Sequence, residues 1–513
     1  MQPKDVVRHV RQGKKWKLLV ALLGLTTVAS ATLLPNLFPF LDPTGLISTY
    51  NTNGPIDEST NNPFFQPLGT NGRSCATCHL ASDAFGLSVT SIQRTFARTH
   101  GSDPLFAAVD GANCPDSTSN DPAAHSLLLN NGLIRVGIQL SATAQFKIQA
   151  YRDPYGCAVS TDPTTGLHTV SVYRRPLPTA NLQFLSAVMF DGRETAQPLT
   201  SAATFRGNLL ADLMHQSMDA TLIHAQAATA PTTDQQTAIV NFELGLSSAQ
   251  ALDFRAGWLN RKGAIGGPVA LSNQIYYPGT NDALGADPQG NAFNSSAFTL
   301  YSAWEEQPGV DSERSFDRDQ LAFRQKIAAG EKLFNTRPVT ISNVRGLTDN
   351  VALAKALGTT VPIAPFQGFC TTCHDSPNVG NHSLPLALDI GTGHDPTVES
   401  DPLIASGVSQ LSFPDLPIFQ ITGCPNPFAD PSQPSTPYVI LTTDPGKGLV
   451  TGLCSDVSRT KGPILRGLAA RAPYFHNGAA RNLHELIEFY NLRFQMSLTD
   501  EEKEQLIAFL NSL

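Results

Sequence analysis

Cys75-Ala76-Thr77-Cys78-His79 and Cys370-Thr371-Thr372-Cys373-His374 are two copies of one pattern, a pair of cysteines two residues apart followed at once by a histidine. At this spacing two thiols can add to the two vinyl groups of one haem, while the adjacent imidazole reaches the iron from the same side; this is the c-type attachment pattern. The cysteines anchor and the histidine ligates, which makes His79 and His374 candidate iron ligands. A thioredoxin-like dithiol would need a βαβ context that the flanking sequence lacks, and a four-cysteine zinc site would have to draw on both copies. The expectation is two covalently bound haem c groups.

Four further cysteines, Cys114, Cys157, Cys424 and Cys454, allow three pairings. In an oxidising compartment, Cys114 with Cys157 and Cys424 with Cys454 keeps each bridge within one domain; free buried thiols are the alternative. The amino terminus points to such a compartment. Lys4, Arg8, Arg11, Lys14, Lys15 and Lys17, opposed by Asp5, precede an apolar run from Leu18 that ends in Ala29-Ser30-Ala31. That is a signal-peptide pattern over residues 1–31. An uncleaved anchor is the alternative, but the run is short for a spanning helix, which needs about 20 apolar residues. The segment carries +5, so cleavage would change the net charge from −8 to −13. The expected location is periplasmic or otherwise exported, with no stable membrane insertion after cleavage.

Charged residues make up only 15% of the 513 and hydrophobic residues 41%, which argues against a coiled coil, a disordered chain or a nucleic-acid binder. The expected fold is mainly α, with two cytochrome c-like haem domains, the first enlarged by long loops and small β elements. The amino-terminal domain spans residues 32–320 and the carboxy-terminal domain 321–513. In the second domain, Leu321, Arg324, Ile327, Ala328, Leu333 and Phe334 recur at helical spacing around Gly330, where two helices could cross closely. Thr499 and Glu502 form a capping box before Leu506, Ile507, Phe509, Leu510 and Leu513. In the first domain, Gln236–Asp253 has the apolar content of a buried helix, Thr169–Tyr173 alternates like a strand, and Ser160–Thr169 and Pro278–Asn294 read as loops.

Four places together resemble the bacterial di-haem cytochrome c peroxidase superfamily, which includes the methylamine dehydrogenase maturation di-haem enzyme and, more distantly, the di-haem rubber oxygenases. They are the two haem motifs; Arg174-Arg175 with Pro178-Thr179 and Asn181, leading to Phe190-Asp191-Gly192-Arg193; Gly462-Pro463-Ile464-Leu465-Arg466; and Ala472-Pro473-Tyr474-Phe475-His476-Asn477-Gly478.

The resemblance implies roles position by position. His374 is the proximal ligand of the electron-entry haem, and the family's second ligand falls on Tyr490, with Met496 as the rival. Asn482, Glu485, Leu483, Leu486, Ile487 and Tyr490 fit one capped helix. A phenolate would lower the potential and a thioether would raise it. His476 and Arg193 belong to the implied cofactor-binding set. His79 is the proximal ligand of the haem where peroxide reacts. The family's blocking histidine position holds Thr95, and His100 reads as a surface histidine, leaving an open or water-bound distal side. The family's catalytic glutamine falls on Gln216, and its glutamate falls near Gln226, which cannot move a proton. His224 is therefore the candidate acid/base, with Glu194 a second candidate. Phe190 replaces the family's tryptophan between the haems, for which Trp258 or Trp304 could substitute. Calcium stays open, because Pro176 or Leu177 stands where the family has asparagine.

The function implied is a periplasmic peroxidase-like oxidoreductase, in which hydrogen peroxide is reduced at the amino-terminal haem with electrons passed from the carboxy-terminal haem. The donor would be a small soluble protein, a cytochrome c or a copper protein. Alternatives are a di-haem electron-transfer cytochrome without peroxidase activity, or a maturation-type or oxygenase-type enzyme acting on a protein or organic substrate.

Overall fold

The computed structural model describes residues 33–196, 203–306, 315–375, 377, 379–380, 382–395, 399, 401–426 and 438–513. The expected signal segment, residues 1–31, lies outside them. Among the described residues, helices of eleven residues or more are α1 (Val89–Thr99), α2 (Phe205–Ile223), α3 (Thr233–Gly245), α4 (Ser315–Thr336), α5 (Leu483–Arg493) and α6 (Asp500–Asn511). No helix among them is long and apolar enough to cross a membrane.

Helices α4 and α6 carry the largest core. Phe323, Ile327 and Phe334 of α4 are buried with Leu506, Phe509 and Leu510 of α6, as their helical spacing requires. Gly330 sets the approach: a β-carbon there would stand 2.0 Å from the Gln505 carbonyl oxygen. The α6 start is closed by its capping box, with Thr499 Oγ1 accepting from the Glu502 N–H at 3.3 Å and the Glu502 carboxylate accepting from the Thr499 N–H at 2.8 Å.

The run Gln236–Asp253 does not continue as one helix. Helix α3 stops at Gly245, and Leu246–Asp253 is a strand paired antiparallel with Gly45–Asn51. At Gly245 a β-carbon would stand 2.5 Å from Asn53 Nδ2 and 2.7 Å from Asn51 Oδ1, so a larger residue would have to push these two side chains aside. Beyond it, Ser248 Oγ meets Thr49 Oγ1 at 2.6 Å across the strands, so the sheet supplies partners that a helix would not. The full sheet runs in the order Gly257–Trp258, Leu246–Asp253, Gly45–Asn51, Phe40–Leu41.

Two three-stranded sheets make the β content larger than the small elements expected from sequence. One has the order Ile134–Gln139, His168–Arg174, Val159–Thr161, and contains the expected strand near Thr169–Tyr173. The other has the order Ile440–Thr442, Ile418–Thr422, Lys147–Arg152, so strands from both sides of residue 320 share one ladder. Ile138, Ile148, Val170, Val172, Phe419, Ile421 and Ile440 form a common core between them. Cys114 is bridged to Cys157 and Cys424 to Cys454, and the second bridge lies in that common core.

Candidate functional site

Both haem motifs fold the same way. Cys75–Thr77 and Cys370–Thr372 are single 3-10 turns in which the histidine N–H donates back to the first cysteine's carbonyl, at 3.1 Å for His79 and 2.9 Å for His374. A threonine closes each turn, Thr77 Oγ1 accepting from the Ser74 N–H at 3.1 Å and Thr372 Oγ1 from the Phe369 N–H at 2.9 Å. The four thiols are free. Burial pushes Cys78 up to about 11 and Cys370 and Cys373 to about 12.

Each histidine is fixed in one tautomer. His79 Nδ1 lies 3.1 Å from the Phe85 carbonyl oxygen, and His374 Nδ1 lies 2.9 Å from that of Gly380. A carbonyl only accepts, so Nδ1 carries the proton and Nε2 keeps its lone pair for a metal. Burial lowers both imidazoles, His79 to about 4, so both are neutral at pH 7, as a ligand must be. Two anchoring thiols beside a neutral, oriented imidazole fit a c-type haem at each place.

Each motif lines a cavity. The wall of the first includes Cys75, Cys78 and His79, together with Leu213, Gln216, Ser217, Ala220 and Thr221 of α2 and then His224. These positions recur every three or four residues, so one face of α2 looks onto the void. His224 is held by groups the sequence did not reveal. Its Nδ1 lies 2.5 Å from Asp110 Oδ2, and the buried Asp110 also pairs with Arg73. Burial pushes the Asp110 carboxyl up, but the His224 hydrogen bond and the Arg73 charge outweigh it and hold it below the usual carboxylate range. Asn71 Nδ2 donates to the His224 carbonyl at 2.8 Å, which ties this segment to the one leading into Cys75.

Glu243 of α3 also lines the first void. Its Oε2 is buried without a hydrogen-bond partner among the described residues, and burial alone pushes the carboxyl up to about 8. A charge in the middle of the apolar run Ile239–Leu246 was the available sequence signal. Glu194 does not line the void; it accepts from His215 Nδ1 at 2.8 Å and lies beside Arg193. Gln226 is exposed beside Asn71, and His100 is an exposed cap at the end of α1.

The second void brings together Cys370, Cys373, His374, His476, Phe190, Tyr490 and Met496. The Tyr490 ring stands edge-on to the His374 imidazole with centroids 6.3 Å apart, stacked on Phe494 at 5.7 Å. Burial pushes its hydroxyl up. Met496 is buried in the same wall, so both ligand alternatives reach the cavity and Tyr490 has the ring contact with His374. His476 Nε2 is buried without a hydrogen bond among the described residues, and its ring lies 6.1 Å from Phe190. Trp258, Trp304 and Arg193 line neither void. Arg193 pairs with Asp191, which also pairs with the buried Arg174; Arg174 in turn donates to both oxygens of Asp444, at 2.6 and 2.9 Å. The Phe190–Arg193 segment is thereby fastened to the carboxy-terminal half. Pro176, Leu177, Pro178, Lys461 and Ile464 line both voids and form the wall between them.

No family model matches the chain. Over 154 residues it is 27% identical to Cytochrome-c peroxidase IdrP2 of Denitromonas iodatirespirans, a match covering 29% of this chain and 36% of that protein. Over 113 residues it is 32% identical to Cytochrome-c peroxidase IdrP1 of Pseudomonas sp. (strain SCT), covering 20% of this chain and 29% of the relative. The chain thus spans about a third of the length of the curated relatives it matches, and over that part it is similar to peroxidase-like cytochromes.

Proposed function

We propose that the chain is an exported di-haem c-type oxidoreductase that reduces hydrogen peroxide at the cavity of His79. Electrons would come through the cavity of His374 from a small soluble cytochrome or copper protein. The observation that carries this is the repeated local fold of two anchoring thiols and a tautomer-fixed imidazole in a cavity wall. The names of the partial relatives support it, and the two disulfides suit an oxidising compartment.

Cys75, Cys78 and His79 would hold one haem, and Cys370, Cys373 and His374 the other, with Tyr490 as second ligand and two cytochrome c-like domains around them. Bound haem iron supplies the electron chemistry. The protein's own part is to place and move protons, since reduction of a peroxide to water consumes protons as well as electrons. Asp110 fixes the His224 imidazole through Nδ1 and leaves Nε2 to accept or release a proton. Glu243 keeps its carboxyl proton at neutral pH and offers a second one. Gln216 can donate an amide hydrogen bond to a peroxide in the cavity but cannot transfer a proton.

The test is a haem count on the purified protein, a ferric spectrum and steady-state peroxide turnover. The expected result is two covalent haems, one of them high-spin, with turnover. Two low-spin haems unreactive to peroxide would overturn the peroxidase reading in favour of an electron-transfer cytochrome. His224→Ala is expected to lower kcat/KM for peroxide by about 100-fold at unchanged haem content. Tyr490→Phe is expected to alter the low-spin signal alone; an unchanged spectrum would move the ligand to Met496.

A further inference from the structure

The wall between the two voids is built from apolar side chains and one ammonium. Pro176, Leu177, Pro178 and Ile464 offer no charge, and Lys461 is the charged residue among those that line both cavities. Its position is fixed by the backbone. The Lys461 N–H donates to the Phe190 carbonyl at 2.7 Å, and Thr460 next to it exchanges two hydrogen bonds with Leu388, each 3.0 Å. The residue is 3% exposed, so the side chain does not reach solvent as surface lysines do.

Among the described residues Lys461 has no counter-charge. Among the described residues its Nζ reaches one acceptor, the carbonyl of the next residue, Gly462, at 3.4 Å. An ammonium has more donors than that contact uses, and a buried charge without a partner is costly. Burial alone acts on it, pulling it down to about 8. Two neighbouring arginines differ: the buried Arg466 and the half-buried Arg471 donate to backbone carbonyls at 2.6 and 2.7 Å.

We infer that Lys461 is a carboxylate receptor shared by the two cavities, and that its ammonium pairs with propionate groups of both bound macrocycles. This rests on the di-haem reading above. A haem carries carboxylates at its edge, and a cation in the dividing wall is within the boundary of both voids. Its charge would hold both groups in register and favour the reduced state of each iron. Lys461 acts here as a positioning and charge-setting residue.

The experiment measures the midpoint potentials of both haems by spectroelectrochemistry in the full-length holoprotein, for the parent, Lys461→Met, Lys461→Gln and Lys461→Arg. Loss of the cation stabilises ferric iron, so in the Met and Gln variants both potentials are expected to fall by a tenfold change in the one-electron constant, about 59 mV. Lys461→Arg is expected to keep both near the parent values. Lys461→Gln retains a polar group of similar reach, so the charge is tested even if Lys461→Met does not fold. A shift in one haem alone, or in neither, overturns the shared receptor while two covalent haems leave the di-haem reading intact. A haem count below two overturns both. Parent potentials that move with formate concentration at constant ionic strength would assign Lys461 to a diffusible anion and overturn the propionate pairing.

Discussion

Glu243 holds its proton against a normal carboxylate's tendency because burial in the wall of the first cavity disfavours the charged form. The carboxyl is raised from 4.5 to about 8 in the fold. Between these values the folded chain keeps a proton that the unfolded chain has lost, so the stability attached to Glu243 is fully present below pH 4.5 and is lost as pH rises through about 8. Glu243→Gln cannot titrate, and its melting temperature is expected to fall less steeply than the parent's over that window; parallel curves would show that the carboxyl titrates normally. The family resemblance pointed to Gln216 and, beside Gln226, to His224. Asp110 was not legible because its hydrogen bond to His224 spans 114 residues, and Glu243 lay hidden in a run read for its apolar residues. Adjacency to Arg193 does not bring Glu194 to the cavity; it accepts from His215 outside it.

At the scale of elements, Gly330 governs how α4 meets α6. Its missing β-carbon would stand 2.0 Å from the Gln505 carbonyl and 2.8 Å from Phe509 Cβ, and neither helix can yield without moving the core over the second cavity. Gly330→Ala is expected to destabilise the protein by about 1–3 kcal/mol despite alanine's better helix propensity, read as a lower denaturation midpoint. An unchanged midpoint would mean the helices separate freely. These two helices were legible because the apolar period held in both, with the glycine marking the close approach in α4 and the capping box marking the start of α6. The strand Leu246–Asp253 was not, since its apolar composition suits either state and the decision came from pairing with Gly45–Asn51, about two hundred residues earlier.

For the whole molecule, the ladder between Lys147–Arg152 and Ile418–Thr422 joins what the sequence divides at residue 320. The Cys424–Cys454 bridge sits in the core beneath it. Replacing both cysteines with serine is expected to cost about 2–4 kcal/mol and to speed amide exchange in these two strands while α4 and α6 stay protected. Uniform loss across the molecule would show that the β core does not open separately. Nothing local could announce this sheet, because each strand is ordinary by itself and only the pairing is informative. That pairing also sets a schedule for biosynthesis. Gln149 and Gln420, whose side-chain amides meet across the ladder, are 271 residues apart. At about 5–20 residues per second of synthesis, the earlier strand waits on the order of 15–50 s for its partner. Until Ile418–Thr422 is available, Lys147–Arg152 presents an open edge to every other strand in reach, so early exposure of that edge, and not only the final stability, bears on how much chain folds correctly.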